Sequence, residues 1–164
     1  MEKFTFFYRS KSPSSQWYPC IFRVNDVKYN CTEQFMMHQK ALLFGDREMA
    51  DKIMQKTNPR DQKALGRKVR NFDAEVYRVK AKRIVYKGNY AKFAQNENLK
   101  KHLLDTTGTS LAEARPTDII WGIGMTEENP DRFDRSKWRG TNWLGEVLTQ
   151  VREDLIKKHK TENK

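Results

Sequence analysis

Helical spacing of apolar residues in the middle of the chain most narrows the folds that this sequence can adopt. The pattern becomes helical at Thr32, and its longest continuous stretch covers about residues 73–93. Strand-like segments lie outside this block, at residues 4–9 and 21–30 before it and at 118–121 after it. Because a few strands flank many helices without alternating with them, we predict an α+β fold. The expected architecture is a single compact, mainly helical domain with a small antiparallel or mixed sheet.

Turn and capping residues predict where the first elements begin. Residues 21–30 form a hairpin with its turn at Asn25-Asp26. Thr32 is the expected N-cap of the helix that follows. The predicted buried side of that helix consists of three apolar residues, Phe35, Leu42 and Leu43.

Three further boundaries are predicted in the second half of the chain. Asn96 caps a helix that ends at Gly108. Residues 118–121 are a short apolar run between a proline and a glycine, which is typical of a buried strand. Asn142 starts the final helix.

Basic charge is concentrated in one segment. The chain carries 32 Lys and Arg against 21 Asp and Glu, a net charge of +11, and residues 60–101 hold 13 basic and 4 acidic residues. Such an excess favours an anionic partner. Within the segment, Lys80, Arg83 and Lys87 share one side of a helix. This side is either a phosphate-facing surface for nucleic acid or an ordinary solvated helix face.

Composition excludes several classes of protein. No apolar run reaches the length of about 18 residues that suggests a membrane span, and the N-terminus lacks a secretory signal. The two cysteines, Cys20 and Cys31, form neither a CxxC pair nor a Cys/His cluster, so no zinc site is expected. We therefore expect a cytoplasmic protein, or a nuclear one in a eukaryote, with one domain over residues 1–155 and a basic tail over 156–164.

Glu33 is the first candidate for chemistry. It lies in the first turn of the predicted helix, where the helix dipole favours an ionised carboxylate. Lys40 follows seven residues later and can share the same helix face. The alternative is that Glu33 is an ordinary first-turn acid.

A second group of candidates surrounds Trp121 and Gly122. Glu113 and Asp118 place two carboxylates near an aromatic ring and a glycine turn. This combination suits a site where a flat ring stacks while the backbone approaches it closely.

The start of the final helix is a candidate phosphate site. Gly140 allows an open backbone just before Asn142, and the free N–H groups of a helix N-terminus bind anions. Gly145 lies within the first turns, where glycine lowers helix stability. Because glycine has no side chain, it allows either a ligand or a neighbouring element to approach the helix backbone closely.

Taken together in their order along the chain, these motifs resemble the NADAR (YbiA-like) family. The N-terminal motifs that carry the resemblance are Ser12-Pro13-x-Ser15-Gln16-Trp17-Tyr18-Pro19, Thr32-Glu33-Gln34-Phe35, Gln39-Lys40-Ala41 and Leu65-Gly66-Arg67. The later ones are Lys92-Phe93-x-Gln95-Asn96, Leu103-Leu104, Leu111-x-Glu113-Ala114-x-Pro116-x-Asp118, Trp121-Gly122-x-Gly124, Trp138-x-Gly140-x-Asn142-x-Leu144-Gly145 and Arg152. Each motif alone is a poor signature, but the ordered set is specific.

The resemblance implies an N-glycosidase that needs no metal or redox cofactor. It also implies two substrate types: phosphorylated ribosylamino-pyrimidine intermediates of riboflavin synthesis, and ADP-ribose attached to a nucleobase, notably guanine in nucleic acid. Glu33 matches the family's catalytic glutamate and Trp121 its pocket tryptophan. Two positions depart from the family: Tyr77 stands where a tryptophan is common, and Ile123 replaces an acid of the bacterial riboflavin-linked branch.

The resemblance also suggests a role for each candidate. Glu33 would stabilise the ribosyl cation or activate water, and Asp118 or Glu113 would protonate the leaving base. Trp121 and Tyr18 would sandwich the base. The remaining expected substrate-binding residues are Ser15, Trp17, Lys40, Arg67, Asn96, Gly122, Asn142 and Gly145.

Three functions follow from these expectations. The first is removal of ADP-ribose from a nucleobase, the second is hydrolysis of the riboflavin-pathway ribosylamine phosphates, and the third is binding of ADP-ribose or nucleic acid without catalysis. Loss of the acid at Ile123 argues against the second.

Overall fold

The computed structural model describes residues 1–164 and contains six α-helices and four short β-strands. The strands form two separate pairs, one parallel and one antiparallel. This mainly helical content confirms the predicted α+β class. The residues divide into two units, Gln16–Asn96 on the one hand and Met1–Ser15 with Glu97–Lys164 on the other.

The unit Gln16–Asn96 begins with a hairpin and continues as four helices. The hairpin pairs β2 (Phe22–Val24) with β3 (Val27–Tyr29) in antiparallel register. Both turn residues, Asn25 and Asp26, have positive φ angles of 50° and 65°, as the predicted two-residue turn requires. The helices are α1 (Thr32–Leu43), α2 (Arg47–Gln55), α3 (Pro59–Gly66) and α4 (Ala74–Gln95).

An aromatic core joins the hairpin to α1 and α4. Phe22, Tyr29 and Phe35 are buried against one another, with ring centroids 5.0–6.1 Å apart. Gly88 lets α4 approach this core, because a Cβ at that position would lie 2.5 Å from a ring carbon of Phe35. The core therefore fixes the first half of α1 between the hairpin and α4.

Two details of α1 differ from the sequence prediction. Its N-cap is Cys31, whose Sγ accepts from the backbone N–H of Gln34, and Thr32 is the first helical residue. Leu42 and Leu43 were expected to be buried, but they are 38% and 37% exposed. Burial is concentrated at the N-terminal half of the helix because the aromatic core packs there.

The other unit combines a parallel strand pair with two helices. β1 (Phe4–Phe7) pairs with β4 (Ser110–Glu113), and α6 (Trp143–Glu162) packs on β4. An apolar cluster of Ala112, Ala114, Ile123 and Met125 is covered by Phe4, Phe6 and Trp138. The unit also holds α5 (Glu97–Leu104) and two short 3₁₀ turns, Pro130–Phe133 and Arg135–Lys137.

Two predictions in this part of the chain are wrong. Residues 118–121 form an irregular loop rather than a buried strand, and Ile119 and Ile120 are 61% and 49% exposed. The helix after Asn96 ends at Leu104, before Gly108. Residues 157–162 continue α6 as exposed helix, and the predicted boundary between the domain and its basic tail stays a prediction. None of the helices combines the length and apolar character needed to span a membrane.

Candidate active site

Glu33 is held in a buried position by the loop that precedes the hairpin. The backbone N–H of Glu33 donates to the Gln16 carbonyl at 3.0 Å, and the Thr32 hydroxyl donates to the same oxygen at 3.2 Å. The side chain of Gln16 in turn accepts from Asn89 on α4 at 2.8 Å. Only 6% of Glu33 is exposed. The structure thus fixes a carboxylate in the first turn of α1, away from bulk water.

Lys40 lies within electrostatic range of this carboxylate and of a second cation, Arg67. The pKa of Lys40 is lowered, chiefly because the side chain is half-buried; the Glu33 carboxylate opposes the shift and Arg67 adds to it. Arg67 follows the last residue of α3 and is exposed. The expectation that Lys40 shares the face of Glu33 agrees with this arrangement. One acid and two cations, from α1 and the end of α3, can therefore act on one anionic ligand.

Tyr77, on α4, is a further member of this group that the sequence prediction did not include. Its side chain is half-buried, and its pKa is raised first by burial and second by the charge of Glu33. The hydroxyl makes no hydrogen bond. Its departure from the family's usual tryptophan was the one signal in the sequence that pointed to this position.

Trp17 and Tyr18 lie on the loop before the hairpin, and each ring faces a lysine. The Lys63 Nζ lies 6.0 Å from the ring centroid of Trp17, and the Lys92 Nζ lies 5.7 Å from that of Tyr18. Lys92 is completely buried, and burial lowers its pKa to about 8. This buried amine was not among the predicted site residues. Its position among apolar residues near the C-terminal end of α4 is the sequence feature that indicates burial.

Asn96 has a structural role in this unit. Its amide nitrogen donates to the carbonyls of Ile21 and Lys92, at 2.9 and 2.8 Å. These bonds close the C-terminal end of α4 and connect it to the start of the hairpin. The predicted contact of Asn96 with substrate would therefore compete with two backbone hydrogen bonds.

The predicted carboxylates Glu113 and Asp118 belong to the other unit. Glu113 ends β4 and is half-buried. Asp118 Oδ1 accepts from the backbone N–H groups of Ile120 and Trp121 at 2.9 and 2.8 Å, so this oxygen stabilises a turn. Trp121 packs edge to face against Trp143, with ring centroids 5.6 Å apart.

Glycine at position 122 is explained by close backbone packing. A Cβ there would lie 3.0 Å from the carbonyl oxygen of Glu113 and 3.1 Å from that of Asp118. Ser15, also expected to bind substrate, is half-buried and donates its backbone N–H to the Ser12 carbonyl at 2.9 Å.

Three N–H groups at the start of α6 are already used and are not free for a phosphate. The backbone N–H groups of Asn142, Trp143 and Leu144 donate to carbonyls of the loop 120–122 at 3.0–3.1 Å. The apolar run predicted to be a strand therefore caps a helix. The prediction of phosphate binding at this helix end is corrected accordingly.

Asn142 and Gly145 instead join α6 to β4. Asn142 is buried with a φ of 54°; its Oδ1 accepts from the N–H of Glu113, and its Nδ2 donates to the Leu111 carbonyl, both at 3.0 Å. A Cβ on Gly145 would collide with the carbonyl oxygen of Leu111. Of the two explanations offered for Gly145, the structure favours close packing.

No cluster of three or more His, Cys, Asp or Glu side chains in residues 1–164 has an arrangement that could hold a metal ion. The groups that these residues bring together are carboxylates, cations and aromatic rings. Such groups suit an anionic ligand with a flat ring.

Comparison with known proteins agrees with this chemistry. The model of the NADAR domain matches residues 6–156. The chain is 40% identical to N-glycosidase R617 of Acanthamoeba polyphaga mimivirus, over 93% of this chain and 96% of that protein. It is also 40% identical to Protein irg-1 of Caenorhabditis elegans, over 93% of this chain and 79% of that protein.

Two further comparisons concern part of the chain or the fold alone. Riboflavin biosynthesis protein PYRR, chloroplastic, of Arabidopsis thaliana is 32% identical over 66% of this chain and 17% of that protein. The NMR structure of the Escherichia coli protein YbiA superimposes with a TM-score of 0.79 at 23% identity, over 97% of this chain and 89% of that one. With the family model matching nearly the whole chain, the protein belongs to the NADAR family and is an N-glycosidase, a hydrolase of N-glycosyl compounds.

Proposed function

We propose that this N-glycosidase removes ADP-ribose from a nucleobase, namely guanine in nucleic acid. One observation carries the proposal: the buried carboxylate of Glu33 lies within electrostatic range of Lys40, which in turn lies within range of Arg67. A buried acid beside two cations fits a sugar that carries phosphate groups.

Glu33 is proposed to act on the sugar. When the base departs, positive charge develops on the ribosyl carbon, and a buried carboxylate stabilises that charge far better than one in water. The same oxygen atoms can accept a proton from the attacking water. Lys40 and Arg67 bind the phosphate oxygens and thereby hold the sugar.

The departing base must accept a proton, and the donors predicted from the sequence are Glu113 and Asp118. Asp118, the other predicted acid, already uses Oδ1 to accept two backbone N–H groups. Replacing Asp118 is therefore expected to disturb a turn, whereas Glu113→Gln removes the carboxyl group with little change of side-chain shape. Comparing the rates of product release by the two variants tests which acid is the proton donor.

Nucleic acid is the proposed partner of the basic segment 60–101. Lys80, Arg83 and Lys87, predicted on one side of α4, are all exposed. Two other cations of the segment are partly neutralised, since Arg70 pairs with Asp46 and Arg78 with Glu75, at 2.8 and 2.9 Å. The exposed cations on α4 are the ones we assign to phosphate contacts.

The experiment compares products from two substrates by mass spectrometry. Wild-type protein is incubated with an ADP-ribosylated guanine oligonucleotide and, separately, with the phosphorylated ribosylamino-pyrimidine. We expect ADP-ribose from the oligonucleotide, and a rate about 10²–10⁴-fold lower for Glu33→Gln. The matched control is Glu97→Gln, an exposed acid in the first turn of α5, which should retain the wild-type rate. Full release by Glu33→Gln, or none by wild type, contradicts the proposal.

The second candidate function is hydrolysis of the pyrimidine ribosylamine phosphate. Similarity to the riboflavin biosynthesis protein PYRR favours it. The departure at Ile123 is less informative than the sequence suggested, because its side chain is fully buried in the apolar cluster around Ala112. An acid introduced there would be buried without a partner. Direct turnover of this substrate by wild type is therefore the decisive measurement.

The third candidate is a binder without catalysis. Calorimetry that detects ADP-ribose binding, combined with no product from either substrate, would favour it over both reactions.

A further inference from the structure

The Lys40 ammonium lies against two aromatic rings. Its Nζ lies 4.5 Å from the ring centroid of Phe72 and 5.3 Å from that of Tyr77. Both distances are within the range in which an ammonium group is attracted to a ring face. Phe72 precedes α4, and Tyr77 lies in its first turns.

The two rings are themselves fixed by a third. Phe44, the residue after α1, contacts Phe72 edge to face with centroids 5.3 Å apart, and Phe72 contacts Tyr77 in the same way at 5.6 Å. Phe72 is nevertheless 46% exposed. Exposure of a single apolar side chain is ordinary, so the distinctive feature of Phe72 is the contact of its ring with the ammonium.

Holding a lysine in this way has a specific consequence for anion binding. A carboxylate bonded directly to the ammonium would have to be displaced by a phosphate, whereas the Glu33 carboxylate acts on Lys40 through its charge. Ring faces orient the ammonium and leave its charge and its N–H donors available. They also favour the charged form, which opposes the lowering of the Lys40 pKa by burial.

We propose that Phe72 and Tyr77 form an aromatic clamp that positions Lys40 to bind a phosphate oxygen of the substrate. The inference rests on the proposed function, because it takes the ligand to be a phosphorylated ribose. Phe72 and Tyr77 act through Lys40 and are positioning residues. The Tyr77 hydroxyl, which makes no hydrogen bond, is not part of the clamp.

The clamp is tested with Phe72→Leu, which removes a ring face, and Phe72→Tyr, which retains it. Because position 72 is half exposed, neither variant should change the melting temperature appreciably. Phe72→Leu is expected to lower kcat/KM on the ADP-ribosylated oligonucleotide about tenfold, equivalent to about 1.4 kcal/mol. Phe72→Tyr should keep most of the activity. Phe133→Leu, which removes another exposed phenylalanine with an arginine over its ring, is the control and should behave as wild type.

A ligand-free measurement separates this inference from the proposed function. In NMR spectra of the free protein, the Lys40 ε-methylene protons should be shifted upfield by the two rings in wild type and Phe72→Tyr. The shift should be smaller in Phe72→Leu, which retains only the Tyr77 ring. Absence of the shift in wild type, or its reduction in Phe72→Leu without loss of activity, overturns the clamp.

If wild type releases no product, the affinity for ADP-ribose replaces kcat/KM as the second measurement of the clamp. A tenfold weaker affinity of Phe72→Leu supports the clamp while the proposed reaction fails. Unchanged affinity, or no ADP-ribose binding by wild type, overturns it.

Discussion

Replacement of Asn142 by alanine distinguishes a structural residue from a substrate-binding one. The side chain supplies a hydrogen-bond acceptor to the N–H of Glu113 and a donor to the carbonyl of Leu111. Asn142→Ala leaves both groups buried without a partner, which costs about 1–3 kcal/mol each. Alanine in the left-handed region adds about 1–2 kcal/mol. The expected loss is therefore about 3–8 kcal/mol, a large part of the stability of a domain.

The assay is urea unfolding of wild type, Asn142→Ala, Asn142→Gly and Asn142→Asp. Asn142→Gly keeps the backbone conformation and should recover only the part due to φ, about 1–2 kcal/mol. Asn142→Asp keeps the acceptor but turns an oxygen toward the Leu111 carbonyl, so it should remain destabilised. If Asn142→Ala unfolds like wild type and instead raises KM for the substrate, the structural reasoning is refuted and the original prediction of substrate binding is correct.

Three other predictions concern charge. Arg70 lowers the pKa of Asp46, so the stability due to this contact should be lost as pH falls below about 4, and Asp46→Asn should reduce that pH dependence in urea unfolding. Burial lowers the pKa of Lys92 to about 8 in the folded state, below its value in the unfolded state. Between about pH 8 and pH 10 the unfolded state therefore binds more protons than the folded state. The free energy of unfolding of wild type should rise relative to that of Lys92→Met as the pH increases over this range. Oligonucleotide affinity should fall as the salt concentration rises. In the double variant Lys80→Gln, Arg83→Gln, the slope of log affinity against log salt should become shallower by about one for each phosphate contact removed. An unchanged slope would assign nucleic-acid binding to another surface.

The reliable sequence predictions rest on interactions between near neighbours. The hairpin turn at Asn25-Asp26 was predictable because only a few residue types tolerate two successive positive φ angles. The positions of Glu33 and Lys40 on one face of α1 follow from helical geometry. The ordered motifs identified the family, and the fold class followed from the distribution of helical and strand patterns.

Errors occurred where distant residues decide a group's environment. Residues 118–121 have the composition of a strand, but their carbonyls cap α6, more than 20 residues away. Asn142 has the position of a ligand-binding cap residue, but its side chain is used by β4.

The sequence by itself determined the family, the helix-rich fold and the acid and cation that share the face of α1, because these depend on local geometry and residue order. Only the tertiary structure decided which polar groups remain available. It showed that Asn96, Asn142 and the first N–H groups of α6 are used by backbone hydrogen bonds. It also showed that rings from outside α1 hold Lys40. The physical reason is that availability depends on partners from other elements, and the sequence pattern does not specify which side chains meet.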